Sequence, residues 1–209
     1  MAHLITVSQE AIDYLNQADP ILGQFINRIG PLTREGTKDP YIATIECVIA
    51  QQVSGSAAIS ITQRFFEAFP KADPKRLVNT SIEELRPFGL SSSKAKYILG
   101  IAEAKYSKAI DFDHLINLSS SEITDILLPL KGVGPWTIQM VLMFSLHKMD
   151  VCSYGDLGIR RGMMRLYHKD EISEAFYNEV SQRLSPYLTY ASFYFWQAST
   201  YKENIPYIK

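Results

Sequence analysis

Apolar residues recur at spacings of three and four along most of this 209-residue chain. This spacing places their side chains on one face of an α-helix, whereas a half-buried β-strand requires apolar and polar residues to alternate. No convincing alternation of that kind occurs between turn residues. The sequence therefore predicts an all-α fold. The clearest stripes are Ile42, Ile45 and Ile49, then Ala58, Ile61, Phe65 and Phe69, and finally Phe176, Val180 and Leu184.

Helix boundaries are marked by residues that cap or break helices. Asp19-Pro20 is typical of a helix start and Gly30-Pro31 of a helix end. The polar stretch from Thr33 to Pro40 predicts a loop, and Ser185-Pro186 predicts the start of the last helix. Residues 1–209 are expected to form one module. Its N-terminal arm, residues 1–40, packs with the C-terminal helices, and residues 41–150 form a middle lobe.

The composition is typical of a folded globular protein. Hydrophobic residues make up 46% of the chain and charged residues 21%, so disorder is not expected. No run reaches the ~20 apolar residues that a membrane span needs, and the N-terminus lacks the features of a signal peptide. Cys47 and Cys152 are too few for a four-cysteine iron–sulfur cluster or zinc site, so no metal is expected.

The most specific local feature is a glycine turn between two helical patterns within residues 123–146, which reads Lys131-Gly132-Val133-Gly134-Pro135-Trp136-Thr137. Two glycines around one apolar residue predict a tight turn, because glycine accepts backbone angles that other residues avoid. The turn leads into a helix N-terminus, where main-chain N–H groups and the helix dipole attract anions. The stretch therefore predicts a helix–hairpin–helix that holds a DNA phosphate by its main chain. The alternative is an ordinary corner between two helices.

The formal net charge of −1 provides no general attraction for DNA. Binding to DNA would therefore depend on local basic clusters, and the alternative for each cluster is a solvated helix face. The candidate clusters are Lys94 with Lys96, Lys131, and Arg160 with Arg161 and Arg165.

Four stretches occur in one order along most of the chain: Ala50-Gln51-Gln52-Val53-Ser54, Leu85 to Ile98, Lys131 to Thr137, and Asp150 to Gly162. Together they resemble the helix–hairpin–helix (HhH-GPD) DNA glycosylases, and specifically the alkylpurine, or 3-methyladenine II, branch. The Gly-Asp-Leu-Gly form of the fourth stretch resembles eukaryotic, fungal-type members. The resemblance implies a bilobal all-α protein that flips a damaged nucleotide into a cleft and hydrolyses its N-glycosidic bond.

Asp156 takes the place of the family's essential aspartate, 20 positions after Trp136. A carboxylate at that place stabilises an oxocarbenium-like transition state or activates the attacking water. A cationic base such as 3-methyladenine or 7-methylguanine leaves as a neutral molecule, so no second acid is required. The alternative role is an N-cap for the helix that begins at Leu157, and the two roles are compatible.

An electron-rich aromatic face suits a cationic base, since cation–π attraction contributes ~0.5–2 kcal/mol. The candidates for the base pocket are Trp136, Tyr154, and Tyr187 or Tyr190, and the alternative for each is a place in the core or on the surface. Trp136 also stands two places after Gly134, where members that cut the DNA strand carry a lysine. No nucleophilic amine is available there, so a monofunctional enzyme is expected.

Val53, with Gln52 beside it, matches the place from which family members insert an apolar side chain into the hole left by the flipped nucleotide. Valine is shorter than the usual residue, and the alternative is a buried valine at a helix end. The resemblance also implies phosphate contacts from the hairpin residues Lys131, Gly132, Val133, Gly134 and Thr137. Further DNA contacts are expected from Ser54, Lys94, Arg160 and Arg161.

The last helix departs from the family pattern, because Leu184 and Leu188 stand where a tryptophan and an arginine are expected. These changes would thin the base pocket and remove a charge that steadies the aspartate or a phosphate. A second interpretation is therefore a protein that binds abasic or distorted DNA without excising bases. A third is a scaffold that only grips the phosphate backbone.

The protein is expected to bind double-stranded DNA that contains alkylated bases or abasic sites. It is expected to be a monomer and to have no membrane partner. No cofactor is expected, although a hairpin of this kind can hold a monovalent cation. The fungal-type motif predicts a nuclear protein of base excision repair.

Overall fold

The computed structural model describes residues 2–203 and residue 205. Over that range the chain is mostly helical, which confirms the predicted fold class. No helix in the described part is both long enough and apolar enough to cross a membrane. The α-helices are α1 (Gln9–Ala18), α2 (Pro20–Ile29), α3 (Pro40–Ala50), α4 (Gly55–Ala68), α5 (Pro74–Leu77), α6 (Ile82–Leu85), α7 (Ser92–Tyr106), α8 (Ser120–Leu127), α9 (Pro135–Phe144), α10 (Leu157–Leu166), α11 (Glu174–Leu184) and α12 (Leu188–Thr200). Short 3-10 turns occur at Pro70–Ala72, Arg86–Phe88 and His114–Asn117.

Two short strands, β1 (Ala2–Thr6) and β2 (Thr33–Thr37), pair in a two-stranded sheet. Strand β2 lies inside the stretch that was predicted to be a loop, so the prediction is wrong there. Its sequence, Thr-Arg-Glu-Gly-Thr, buries Gly36 alone and lacks the apolar alternation by which a strand is recognised. The start of α2 at Pro20 agrees with the sequence, and α12 begins two residues after Pro186.

Contacts between Cα atoms divide the chain into two compact units. The central unit is Thr37–Leu146. In this unit α3 packs against α4, α7 and α9. The core of the central unit includes the completely buried side chains of Ile45, Ile49, Phe65, Ile98 and Val141.

The terminal unit combines His3–Gly36 with the chain from His147 onward. Here α10 packs along α12, and α1 packs against α2. Helices α10 and α12 approach closely because Gly162 has no side chain: a Cβ atom there would lie 1.8 Å from the carbonyl oxygen of Phe195. The completely buried residues of this unit include Leu15, Leu22, Ile159, Met163 and Phe193.

A buried carboxylate joins three helices of the terminal unit. Asp19 is 2% exposed, and its Oδ1 accepts hydrogen bonds from the main-chain N–H groups of Ile21 and Leu22, both at 3.0 Å, at the start of α2. Its Oδ2 accepts from the Tyr167 hydroxyl at 2.8 Å and from the Arg183 guanidinium at 2.7 Å. Burial and the nearby Asp19 charge raise the pKa of Tyr167, so the phenol stays protonated and remains a donor.

We expect Asp19→Ala to lower the free energy of unfolding by about 3 kcal/mol, the low end of the cost of breaking a buried ion pair. The change removes the cap of α2 and leaves Tyr167 and Arg183 without their acceptor. The low end applies because the Arg183 side chain is 35% exposed and water reaches it. Urea denaturation measures the loss. Asp13→Ala, at an exposed position of α1, is the control and should change stability by less than about 0.5 kcal/mol; equal losses in the two variants would contradict the role given to Asp19.

Candidate functional site

The glycine turn of the central unit lies between α8 and α9. Gly132 has a φ of 83°, in the left-handed region that favours glycine, and a Cβ atom on it would lie 2.2 Å from Cδ2 of Tyr97. Helix α9 begins at Pro135 with Gly134 as its N-cap, and no side chain caps this N-terminus. An N-terminus without a side-chain cap presents main-chain N–H groups and the positive end of the helix dipole to an anion.

The predicted phosphate contacts of the hairpin divide into an exposed side chain and buried ones. Lys131 is exposed, whereas the side chains of Val133 and Thr137 are only 4% and 1% exposed. A phosphate contact from Val133 or Thr137 would therefore have to use the main chain. The Thr137 hydroxyl is already an acceptor, because Gln51 Nε2 donates to Thr137 Oγ1 at 2.9 Å and to the Gly132 carbonyl oxygen at 2.8 Å.

The segment between α3 and α4 places the proposed inserting residues on the surface. Gln52 is exposed and has a φ of 54°, and Val53 is 37% exposed. The interpretation of Val53 as a buried helix-end valine is therefore wrong. Ser54 is the N-cap of α4, and its hydroxyl accepts a hydrogen bond from the main-chain N–H of Ala57 at 3.3 Å.

Lys94 has a structural role that the sequence did not suggest. Its Nζ donates to the carbonyl oxygens of Ile49 at 2.7 Å and Gln51 at 2.6 Å, at the C-terminal end of α3. A cation at this end of a helix complements the negative end of the dipole. Partial burial lowers the pKa of this ammonium. The predicted DNA contact of Lys94 therefore competes with two strong internal bonds.

Asp156, in the terminal unit, is the N-cap of α10. Its Oδ1 accepts hydrogen bonds from the main-chain N–H of Ile159 and from the indole Nε1 of Trp196, both at 2.9 Å. The first bond is the capping interaction that the sequence offered as the alternative role. The second was not predicted, and it comes from α12, forty positions along the chain. Together the two bonds restrain the orientation of the carboxylate.

Two glycines of α10 leave the space that the hydrogen bond between Trp196 and Asp156 requires. Gly162 meets the backbone of Phe195, and Gly158 lies one turn earlier on the same helix. A Cβ atom on Gly158 would lie 2.7 Å from Cδ1 of Trp196 and 3.1 Å from Oδ1 of Asp156. The indole of Trp196 therefore reaches Asp156 because the facing surface of α10 carries no side chain at these positions.

Cys152 is the titratable neighbour whose electrostatic interaction with Asp156 is evident. Burial is the main cause that raises the pKa of its thiol, so the group is neutral at physiological pH. Among the described residues, no three His, Cys, Asp or Glu side chains are grouped in a way that could hold a metal ion. Asp156 supplies this site with one carboxylate oriented by two hydrogen bonds.

Tyr154 and two of the arginines of α10, Arg160 and Arg161, lie beside a cavity of about 530 Å³. The Tyr154 hydroxyl donates to the carbonyl oxygen of Ile172 at 3.0 Å, and the Arg160 guanidinium lies 5.5 Å from the centre of the Tyr154 ring. Arg160 is half-buried and its Nε atom has no hydrogen-bond partner, whereas Arg161 is exposed. The structure thus brings Tyr154, Arg160 and Arg161 together.

Tyr187 does not share the environment of Asp156. Its hydroxyl donates to Glu10 at 2.9 Å and its ring packs on those of Tyr14 and Tyr190. It precedes Trp196 by nine residues at the start of α12, which corresponds to about 13 Å along a helix axis. Trp136, in the central unit, is the second residue of α9 and is half-buried.

Comparison with known proteins identifies the family. The model of the "HhH-GPD superfamily base excision DNA repair protein" family matches residues 45–186. DNA-3-methyladenine glycosylase 1 of Schizosaccharomyces pombe is 34% identical over 169 residues, which cover 78% of this chain and 73% of the relative. A putative DNA-3-methyladenine glycosylase of Bacillus subtilis is 28% identical over 169 residues, which cover 76% of this chain but only 58% of that protein.

A solved structure agrees with these sequence relatives. The S. pombe 3-methyladenine DNA glycosylase in complex with abasic DNA superposes with a TM-score of 0.84 at 28% sequence identity. The match covers 90% of this chain and 96% of that one. The similarity therefore extends over nearly the whole fold and includes both units.

The two glycines of the hairpin should respond differently to alanine. Gly132→Ala combines a left-handed backbone with a clash against Tyr97, so we expect a loss of about 2–5 kcal/mol in the free energy of unfolding. Gly134→Ala meets nothing within 4 Å and should cost less than about 1 kcal/mol. Thermal and urea denaturation of both variants measure the difference, and similar losses would show that the contact with Tyr97 does not constrain the turn.

Proposed function

Because the chain belongs to the HhH-GPD superfamily of base excision DNA repair proteins, we propose that it is a monofunctional DNA glycosylase that hydrolyses the N-glycosidic bond of alkylated purines. The observation that carries the proposal is the carboxylate of Asp156, held at a helix N-terminus by the N–H of Ile159 and the indole of Trp196. The proposed substrate is double-stranded DNA with a 3-methyladenine or 7-methylguanine nucleotide turned out of the helix. We further propose that the protein acts as a monomer in the nucleus.

The proposed reaction breaks the bond between C1′ and the base nitrogen. Its electron pair goes to the base, which carries a positive charge and therefore leaves as a neutral molecule. Positive charge develops on the sugar, and a carboxylate near C1′ stabilises it more in the transition state than in the ground state. A water oxygen then bonds to C1′, and its proton passes to the carboxylate of Asp156 and on to solvent.

DNA binding is assigned to the hairpin and to the segment before α4. The N-terminus of α9 and the exposed Lys131 would hold one backbone phosphate. Val53, which is 37% exposed, would enter the space left by the flipped nucleotide, with Gln52 beside it. Trp136 occupies the position of the strand-cutting lysine, which supports simple hydrolysis without a Schiff base.

A second candidate function is recognition of abasic or distorted DNA without base release. The observations in its favour are Leu184 and Leu188, which stand where a tryptophan of the base pocket and an arginine are expected. An abasic site lacks the base already, so a reduced base pocket would not impair its binding. The two candidates differ in whether the native chain releases bases at all.

Asp156→Asn separates these candidates, because asparagine keeps the N-cap and the size of the side chain but not the negative charge. Single-turnover release of 7-methylguanine and 3-methyladenine from alkylated duplex should fall by roughly 10²–10⁴-fold. Affinity for an abasic-site duplex should persist, since the hairpin is unchanged. The control is Asp150→Asn, which removes the charge of a carboxylate bonded to the Ser185 hydroxyl.

An unchanged rate in the Asp156→Asn variant would refute the assigned role. If the native chain released no base and still bound the abasic duplex tightly, the second candidate would replace the first.

Trp196→Phe should slow base release by about tenfold, because a hydrogen bond to a charged group contributes about 1.5–3 kcal/mol and only part of it acts in the transition state. The rate is measured in single turnover at saturating protein. Tyr194→Phe is the matched control, since it removes another hydrogen bond of α12, from the Tyr194 hydroxyl to the carbonyl oxygen of Gly30. Both variants should lose stability, and only Trp196→Phe should lose rate; a parallel loss of rate would mean that α12 as a whole matters and not the indole N–H.

A further inference from the structure

Gln51 connects three segments of the central unit. Its side-chain Nε2 donates to the Gly132 carbonyl oxygen in the hairpin turn at 2.8 Å and to the Thr137 hydroxyl in the first turn of α9 at 2.9 Å. Its own carbonyl oxygen accepts from the Lys94 ammonium at 2.6 Å. The next two residues of the chain are Gln52 and Val53. One residue therefore lies between the proposed phosphate-binding turn and the proposed inserting segment.

Lys94 completes this connection from α7. Its Nζ bonds both Ile49 and Gln51, so it holds the C-terminal end of α3 at the point where the chain turns toward Val53. Bonds from an ammonium to carbonyl oxygens at 2.6–2.7 Å are charge-assisted and stronger than neutral ones. Lys94 is half-buried, and Ser91 caps the first turn of its own helix. The anchor therefore lies in the capped first turn of α7.

We propose that Gln51 and Lys94 are positioning residues, which fix the segment Gln52–Val53 relative to the hairpin and make no contact with DNA themselves. The inference rests on the proposed function, because it assumes that these two segments bind DNA at a lesion. The role differs from the DNA contact that the sequence suggested for Lys94.

The physical reason lies in the geometry of the duplex. A phosphate held at the hairpin and a side chain inserted at the lesion must match a fixed spacing on one DNA molecule. If the segment before α4 moves relative to the hairpin, inserting the side chain costs conformational entropy, and this cost falls only on binding that needs insertion. Binding to an intact duplex uses the phosphate grip alone and is unaffected. Lesion preference, measured as a ratio of affinities, is therefore the property that depends on the two residues.

A direct DNA contact predicts a different result. A lysine that neutralises one phosphate lowers the affinity for lesion and intact duplexes by the same factor when it is removed. It also reduces the slope of log K against log salt concentration by about 0.9. A positioning lysine changes the ratio of affinities and leaves the slope unchanged. The salt slope and the affinity ratio together distinguish the two roles.

The experiment measures dissociation constants of the full chain for an abasic-site duplex and for the same duplex without the lesion, at several salt concentrations. Gln51→Met removes the amide and keeps the length of the side chain, and Lys94→Met removes the ammonium. We expect each variant to lose about tenfold in lesion preference, equivalent to 1.4 kcal/mol, with an unchanged salt slope. Lys96→Met, at an exposed position two residues along the same helix, removes the same charge and shows the effect of charge alone.

A second pair of variants tests the same role of Gln51 in case Gln51→Met and Lys94→Met fold poorly. Thr137→Val removes one of the two acceptors of Gln51 without changing the volume of the side chain, and Thr137→Ser keeps the hydroxyl. Thr137→Val should lower the lesion preference, whereas Thr137→Ser, which keeps the acceptor, should have the lesion preference of the native chain. Thermal unfolding identifies the temperature range in which every variant is folded, and binding is compared only within that range.

The outcomes separate the inference from the proposed function. A native chain that prefers the abasic duplex, with variants that keep this preference, overturns the inference alone. A smaller salt slope in Lys94→Met, with equal losses for both duplexes, overturns it in favour of a phosphate contact. A native chain without lesion preference overturns the inference together with the DNA-binding part of the proposed function, and the base-release assay then reports on the chemistry separately.

Discussion

The close contact between α10 and α12 is the interaction on which the candidate catalytic group depends. Gly162 allows the backbone of α10 to meet the carbonyl of Phe195, and Gly158 leaves room for the indole of the next residue, Trp196. A side chain at Gly162 would separate the two helices, and a side chain at Gly158 would displace the indole from Asp156. Two residues without functional groups therefore set the orientation of the carboxylate. Because both bonds to its Oδ1 come from the protein, the carboxylate is preorganised before a substrate binds, which is the condition under which charge stabilisation is most effective.

The net charge of −1 is compatible with the proposed DNA binding, because the site proposed at the hairpin relies on main-chain donors. A helix N-terminus attracts a phosphate through N–H groups and the helix dipole, neither of which contributes to the formal charge. The structure also shows that a lysine in a matching sequence position can form internal hydrogen bonds. The Lys94 ammonium donates to two carbonyl oxygens at the C-terminal end of α3, directly before Gln52 and Val53. Composition alone therefore gives little indication of the binding surface.

The features that the sequence predicts well depend on residues close together in the chain. Asp19 and Asp156 cap helices through bonds that reach two or three residues ahead, so each cap can be recognised in the local sequence. Hydrogen bonds between residues that are far apart in the chain cannot be recognised in the local sequence. Nothing in the sequence pairs Asp156 with Trp196 or Gln51 with Thr137, since those pairs form only when helices pack. Strand β2 was missed for a related reason, because it is specified by its pairing with β1 and not by its own polar residues.

The departures from the family pattern at Leu184 and Leu188 weigh less against catalysis than the sequence suggests. Leu184 is completely buried at the end of α11, so the residue there fills the core. Leu188 is the first residue of α12 and precedes Trp196 by eight positions, about 12 Å along the helix axis. The two bonds described for the Asp156 carboxylate come from Ile159 and Trp196, and neither leucine contributes to them. The substitutions therefore leave these two bonds of the candidate catalytic carboxylate intact.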